Sequence, residues 1–232
     1  MPDPRVASVL EAFADAARAL GATAVWVGGS WATGDHVAGV SDLDLVVLVP
    51  SVDVGAVDDL HRHLDAGPAR GLDLGCAWVE EGTLGDPDRR HVTWSHGRPC
   101  ERRLSSLTRL ELAAHGLVLA GRSPADVLPA PTPGDARRAV RADLDGYWRW
   151  ALRRPWYWLA PDFADLSLLT MARARRGLTE DLLVTKAAAL AHVDAGPRLR
   201  RQLAARRAGE RCRSPRSRTA WAAWRDAVRT VG

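Results

Sequence analysis

The chain is poor in cysteine, almost without lysine, and has no long apolar run. Its three cysteines, Cys76, Cys100 and Cys212, are odd in number and share no zinc or disulfide spacing. A reducing compartment is expected, and the protein is read as cytoplasmic. No stretch of about 18 or more uninterrupted apolar residues occurs, so a membrane-spanning helix is not expected. The first twenty residues are amphipathic and carry Asp3, Glu11 and Asp15, which does not suit a secretory signal. With 47% hydrophobic and 26% charged residues over 232 positions, the chain has enough apolar material for one large domain or two small ones. The net charge of +4 raises the question of nucleic acid. Its arginines crowd between Arg198 and Arg218, with Arg200, Arg201, Arg206, Arg207, Arg211, Arg213 and Arg216 between them. No aromatic residue interleaves with them and no base-reading motif accompanies them. The cluster is read as a solvated helix face and a basic loop, with neither nucleic acid nor a membrane as partner.

The first half of the chain alternates helical and strand-like patterns. Val6, Val9, Leu10, Phe13, Ala17 and Leu20 follow helical spacing over residues 5–20. Residues 22–27 and 43–49 read as buried strands, the second rich in β-branched residues and stopped by Pro50. An amphipathic helix is expected at 53–66, a third strand at 71–79, a weaker one at 91–95 and a helix from about 101 to 115. Pro124, Pro129, Pro131 and Pro133 then mark a junction between Gly121 and Gly134. Beyond it every segment has helical texture: 135–153, 163–176, 186–195, 197–208 and 217–230. The pattern predicts an α/β first domain joined to an all-helical second.

One stretch carries chemistry: Val27-Gly28-Gly29-Ser30, an eleven-residue interval, then Asp42-Leu43-Asp44. Asp42 and Asp44 are two apart at the start of a strand, so they share a face while Leu43 and Leu45 take the other. Paired carboxylates repel unless a cation neutralises them. An oxygen-only site with open positions suits Mg²⁺, which takes its remaining ligands from water and substrate phosphates. Gly28 and Gly29 let backbone N–H groups approach an anion without a Cβ in the way. Ser30 adds a hydroxyl at the start of a short helix, a place for a terminal phosphate. Leu72-Asp73-Leu74 supplies a third acid from a neighbouring strand, where a metal-binding or proton-accepting role would account for it.

These residues resemble the DNA polymerase beta-like nucleotidyltransferase superfamily, whose signature is G-S, a short helix, D-x-D and a third acid. More narrowly, the chain is similar to the streptomycin/spectinomycin (aminoglycoside) adenylyltransferases through the strand with Asp73, the proline-rich junction, Leu166–Arg173 and the run to Lys186. The resemblance implies an α+β fold: a small mixed-sheet nucleotidyltransferase domain at 1–128 that holds ATP and Mg²⁺, then an all-helical substrate-binding domain at 129–232. It implies that Gly29 and Ser30 hold the triphosphate, that Ser41 lines the same site, and that Asp42 and Asp44 bind Mg²⁺, with Asp73 as third ligand. Asp73 also falls where the family carries a glutamate as catalytic base, and is one methylene shorter. Arg173 and Lys186 fall on phosphate-contacting positions. Trp156, Trp158, Asp162 and Asp165 fall near the family's drug-binding tryptophan and acids, with Phe163 at one expected acidic position. The implied activity is transfer of AMP from ATP to a hydroxyl of a small cationic antibiotic. The alternative is transfer to another small molecule or to a protein hydroxyl.

Lys186 stands alone against 31 arginines. In a chain that uses arginine wherever either would serve, a surviving lysine suggests a need for a compact ammonium. Thr185 is a plausible N-cap for the helix it opens. Arg173 continues the stripe Leu166, Leu169, Thr170, and so emerges from an inward-facing side. Most of the rings among Tyr147, Trp148, Trp150, Trp156, Tyr157 and Trp158 are expected in packing, with one or two exposed beside Asp162 and Asp165 to meet a cationic sugar. His61 and His63 are expected in solvent, and His91 and His96 lack a partner at ligand spacing.

Overall fold

The computed structural model describes residues 3–232. It divides between Pro131 and Thr132 into two compact units. In the first, helix α1 (Pro4–Ala19) is capped by Asp3, whose carboxylate accepts from the Arg5 backbone N–H at 2.9 Å, and Pro4 occupies the first turn. It buries Val6, Val9, Leu10, Phe13, Ala14 and Ala17, the stripe its spacing dictates. Then follow β1 (Ala24–Val27), a single turn α2 (Gly29–Ala32), β2 (Leu43–Val49), α3 (Val54–Ala66), β3 (Leu74–Glu80), β4 (Arg90–Ser95), β5 (Arg98–Arg103), α4 (Ser106–His115) and β6 (Leu117–Gly121).

The six strands form one mixed sheet in the order β5-β4-β3-β2-β1-β6. Only β2 and β3 are parallel; they are joined by α3, the crossover that a parallel pair requires. The remaining pairs are antiparallel. Alternation sends Leu43, Leu45, Val47, Leu74, Cys76 and Trp78 to a core shared with Val6, Phe13 and Val57. The opposite face buries Trp26, Val46, Leu48 and Val79 with Leu104, Leu112 and Leu128. The mixed sheet followed by helices is the α+β arrangement expected.

Three features of this unit differ from the sequence reading. Residues 98–103 are strand, not the start of a helix, and α4 begins only at Ser106, where Ser105 accepts from the Thr108 N–H at 3.0 Å. Residues 117–121 form a sixth strand beside β1, in front of the proline-rich junction. His61 is not in solvent: it is 0% exposed, stacks on Trp94 with centroids 5.0 Å apart, and accepts at Nε2 from Trp78 Nε1 at 3.1 Å. The apolar face of α3 includes it because Val57, His61 and Leu64 fall at helical spacing. His63 is exposed, as expected.

The second unit is helical. It comprises α5 (Asp135–Asp143), a π-turn over Leu144–Trp148, α6 (Arg149–Leu152), a 3₁₀ segment over Pro155–Leu159, α7 (Pro161–Glu180), α8 (Lys186–Ala189), α9 (Pro197–Arg207) and α10 (Arg216–Val231). The helix expected at 135–153 runs without interruption over 135–152 and contains the π-turn, while that at 186–195 is one α-turn followed by a 3₁₀ turn over Leu190–His192. Helices α7 and α10 are tied by Arg175, which donates to the fully buried Asp226 at 2.7 Å and to Thr230 Oγ1 at 2.9 Å. Among the described residues no helix is long and apolar enough to cross a membrane.

Candidate functional site

The end of β1 and the start of β2 meet at one point. Register pairs Val27 with Leu45, and the Gly28 N–H donates to the Asp44 carbonyl at 2.8 Å. Gly29 then turns with φ +57°, a conformation costly for residues with a Cβ. A Cβ there would also lie 2.0 Å from Asp44 Oδ2. Glycine is required twice over, for the turn and to let the carboxylate lie against the backbone. Ser30 follows, 8% exposed, and its Oγ is buried without a hydrogen-bond partner. An unsatisfied buried hydroxyl is costly in a finished interior and calls for a ligand or water.

Asp44 stands exposed on β2 between Leu43 and Leu45, both of which enter the core. Asp42 precedes the strand by one residue and so shares the face of Asp44. Ser41 is buried, and its Oγ accepts from the Val37 N–H at 3.0 Å. It thereby pins the loop that delivers Asp42. The donor set fits Mg²⁺: one or two carboxylates from the protein suffice when phosphate oxygens complete the octahedron. Among the described residues no group of three His, Cys, Asp or Glu side chains gathers into a metal site.

Asp73 lies one residue before β3. Its carbonyl accepts from the Leu43 N–H at 2.8 Å, which extends the parallel ladder and sets Asp73 across from Asp42. Its carboxylate, however, is paired with the imidazole of His96, whose Nδ1 is 3.4 Å away. It opens on a cleft of about 290 Å³ lined also by Asp65, Gly71, Leu72, Leu74, Trp94 and Gly97. Of the three acids expected to bind the metal, Asp42 and Asp44 belong to the β1–β2 junction, while the Asp73 carboxylate lies beside His96. It is the β4–β5 turn that reaches Asp73. That turn, His96-Gly97 with φ +52° and +70°, carries the imidazole, and a lone histidine without ligand spacing gave no sign of it.

In the second unit Arg173 is bonded to the segment that leads into Lys186. Arg173 on α7 donates through Nε to the Val184 carbonyl at 2.5 Å, two residues before Lys186. Thr185 caps α8, accepting from the Ala188 N–H at 3.2 Å, so Lys186 is the first helical residue. The acceptor candidates divide. Trp158 is 1% exposed and donates from Nε1 to Ser167 Oγ at 3.0 Å. Its expected role at a drug surface is corrected, because its ring fills the interior against Phe163. Asp165 is held by Arg206, which donates to both its oxygens; this doubly bonded ion pair raises the Arg206 pKa further and ties α7 to α9. Asp165, expected near the acceptor, thus has both oxygens engaged by Arg206. Trp156 is 59% exposed and Asp162 is exposed in the first turn of α7, so these two face solvent. Of the arginine run, Arg198, Arg200, Arg201, Arg211, Arg213, Arg216 and Arg218 are exposed, while Arg206 and Arg207 are not.

Residues 9–68 match the family model of the nucleotidyltransferase domain, a span that contains Gly29, Ser30, Ser41, Asp42 and Asp44. No curated protein matches the sequence. Among solved structures, a spectinomycin adenyltransferase from Enterococcus faecialis, solved with ATP and spectinomycin, is similar with a TM-score of 0.67 at 13% identity, over 98% of this chain and 97% of that one. At such identity the likeness is one of fold. Residues 9–68 are thus similar to a nucleotidyltransferase domain, in a chain whose fold resembles that of an adenyltransferase.

Proposed function

We propose that the chain is a Mg²⁺-dependent adenylyltransferase that moves AMP from ATP to a hydroxyl of a small cationic acceptor of the streptomycin and spectinomycin class. The observation that carries this reading is the junction of β1 and β2. There Gly29 lies against the Asp44 carboxylate and the buried Ser30 hydroxyl has no partner. A bare backbone turn and a free hydroxyl beside two hard oxygen ligands suit a metal-bound triphosphate. The ATP and spectinomycin of the adenyltransferase of similar fold support the choice of donor and acceptor.

Asp42 and Asp44 would hold Mg²⁺, which when bound neutralises phosphate charge and draws electron density from the α-phosphorus. Gly29 and Ser30 hold the phosphates by backbone N–H and hydroxyl donors. Asp73 accepts the proton of the acceptor hydroxyl as its oxygen bonds to the α-phosphorus and the bond to the β-phosphate oxygen breaks, releasing pyrophosphate. Arg173 and Lys186 are assigned to phosphate charge. Residues 1–128 serve ATP and 129–232 the acceptor, with Trp156 and Asp162 the exposed groups suited to a cationic ring.

The test is release of pyrophosphate and an AMP adduct by mass spectrometry, with ATP, Mg²⁺ and a panel of streptomycin, spectinomycin, other aminoglycosides and lincosamides. Asp42→Asn and Asp44→Asn should each abolish turnover. Retention of more than about a tenth of kcat, a loss under ~1.4 kcal/mol in barrier terms, contradicts the metal role. No adduct on any member of the panel refutes the choice of acceptor.

A further inference from the structure

The basic run of the second unit gains an aromatic neighbour on α10. Residues 195–225 hold ten arginines and a single acid, Glu210. Arg18, Arg62, Arg138 and Arg149 each sit beside an acid three or four positions away. By contrast, Arg211, Arg213, Arg216, Arg218 and Arg225 are exposed and, among the described residues, make no ion pair. Their positive charge is left for a partner. The loop that leads into α10 is fastened at its base. Arg206, locked to Asp165, also donates to Ser214 Oγ at 2.8 Å and to the Cys212 carbonyl at 3.3 Å. Gln202 Nε2 donates to the Arg213 carbonyl at 3.0 Å. The loop cations therefore stand on a fixed backbone, which lowers the cost of ordering them on binding.

On α10, Trp221 lies three residues after Arg218 and four before Arg225, so the three share one face. Its ring rests on that of Trp224, with centroids 5.5 Å apart and planes at 30°, and is 59% exposed. An indole supported from behind, with a cation on either side, offers stacking to a planar base and charge to its phosphates. The other face of α10, with Ala220, Ala223, Ala227 and Val231, is already buried. The helix thus has no apolar face left to sink into a lipid surface. A duplex keeps its bases stacked on one another, whereas a single strand can lend one to the ring.

We propose that the α10 face around Trp221, with the arginines of the loop before it, binds single-stranded nucleic acid, a base stacking on Trp221 while arginines meet the phosphates. This surface is separate from adenylyl transfer and does not depend on it. It also revises the reading of the arginine run as a solvated face alone: the aromatic residue missing between Arg198 and Arg218 stands just beyond, on α10.

The test is fluorescence anisotropy of a labelled oligouridylate of about 12 nucleotides, titrated with the full-length protein at about 50 mM and about 200 mM salt. The wild type should bind, and more weakly as salt rises. Trp221→Ala should weaken binding about 10-fold, in keeping with one lost stacking partner, and Trp221→Phe should recover most of it. Arg218→Gln combined with Arg225→Gln should lower the slope of log affinity against log salt by about 1.4, the value for two phosphate contacts on a single strand. These side chains are exposed, so the substitutions leave the core of the unit untouched. Absence of binding at the lower salt overturns the proposal, as does equal affinity of Trp221→Ala and the wild type. Tighter binding to a duplex of the same length overturns it as well. Binding to phosphatidylglycerol vesicles without binding to the oligonucleotide would give the face to a membrane instead.

Discussion

Acid should loosen the first unit through His61, and the size of the effect follows from its surroundings. The ring is closed in by Phe13, Trp78 and Trp94, and Nε2 accepts the Trp78 indole N–H. The proton of the neutral imidazole therefore sits on Nδ1, which is buried without a partner. Protonation would set an Nε2–H against the Trp78 N–H and place a charge in an apolar cage. Burial accordingly lowers the pKa from 6.5 to about 4, with nearby Asp58 opposing. The unfolded chain binds the proton near pH 6.5 and the folded one only near 4, so within that window the unfolded state carries more protons and stability falls as the pH is lowered. Above about pH 7 both states are neutral and nothing is lost; by pH 5 the loss is about 2 kcal/mol, and below pH 4 it approaches about 3 kcal/mol. His91, whose pKa is lowered chiefly by burial and then by Arg89 and Arg109, acts in the same direction, so the wild type alone does not isolate the term. His61→Gln does, since its amide oxygen can accept from Trp78 without titrating. Guanidinium unfolding followed by tryptophan fluorescence at about pH 7 and about pH 5 should show the wild type losing about 2 kcal/mol more than the variant. Equal losses in the two proteins would refute the reasoning.

Gly29→Ala should forfeit turnover while the protein stays folded. The αL strain costs roughly 1–2 kcal/mol, but the new methyl must displace the Asp44 carboxylate, and Mg²⁺-dependent ATP binding measured by calorimetry should be lost; wild-type binding would contradict the close approach. Asp73→Asn should keep ATP affinity and lower kcat by about 10²–10⁴, the usual worth of a general base; collapse of ATP affinity with normal turnover at saturation would make Asp73 a ligand instead. Lys186→Ala should raise the KM for ATP, by an amount corresponding to about 1.5–3 kcal/mol for a charge-assisted contact, and Lys186→Arg should not restore it fully; unchanged kinetics would leave the lone lysine without a role at the phosphates.

Much of the first unit was legible because its signals are local. Strand β2 spans Leu43–Val49 as read, since β-branched residues and the stop at Pro50 need no tertiary partner to identify them. The Gly28-Gly29-Ser30 and Asp42-Leu43-Asp44 segments were legible for the same reason: alternation puts both acids on one face of whatever sheet forms. Strand β5 was not, because Arg-Pro-Cys-Glu-Arg-Arg lies at a sheet edge in solvent and so carries no apolar alternation; only its pairing with β4 makes it a strand. Strand β6 is short and follows α4 after Gly116 alone, and its pairing with β1 decides it. Side-chain fates were the least legible. His61 and His63 differ by two positions, yet one is buried and the other exposed, because the turn of α3 aims only His61 at Trp78 and Trp94. Trp156 and Trp158 likewise part, one to solvent and one to Ser167. Asp165 meets Arg206 across 41 positions, and Asp73 meets His96 through a turn whose placement depends on β3 pairing with β4. Local chemistry and periodicity were written in the chain itself, whereas which groups meet across long separations was decided by packing, since contact between distant residues depends on every element that lies between them.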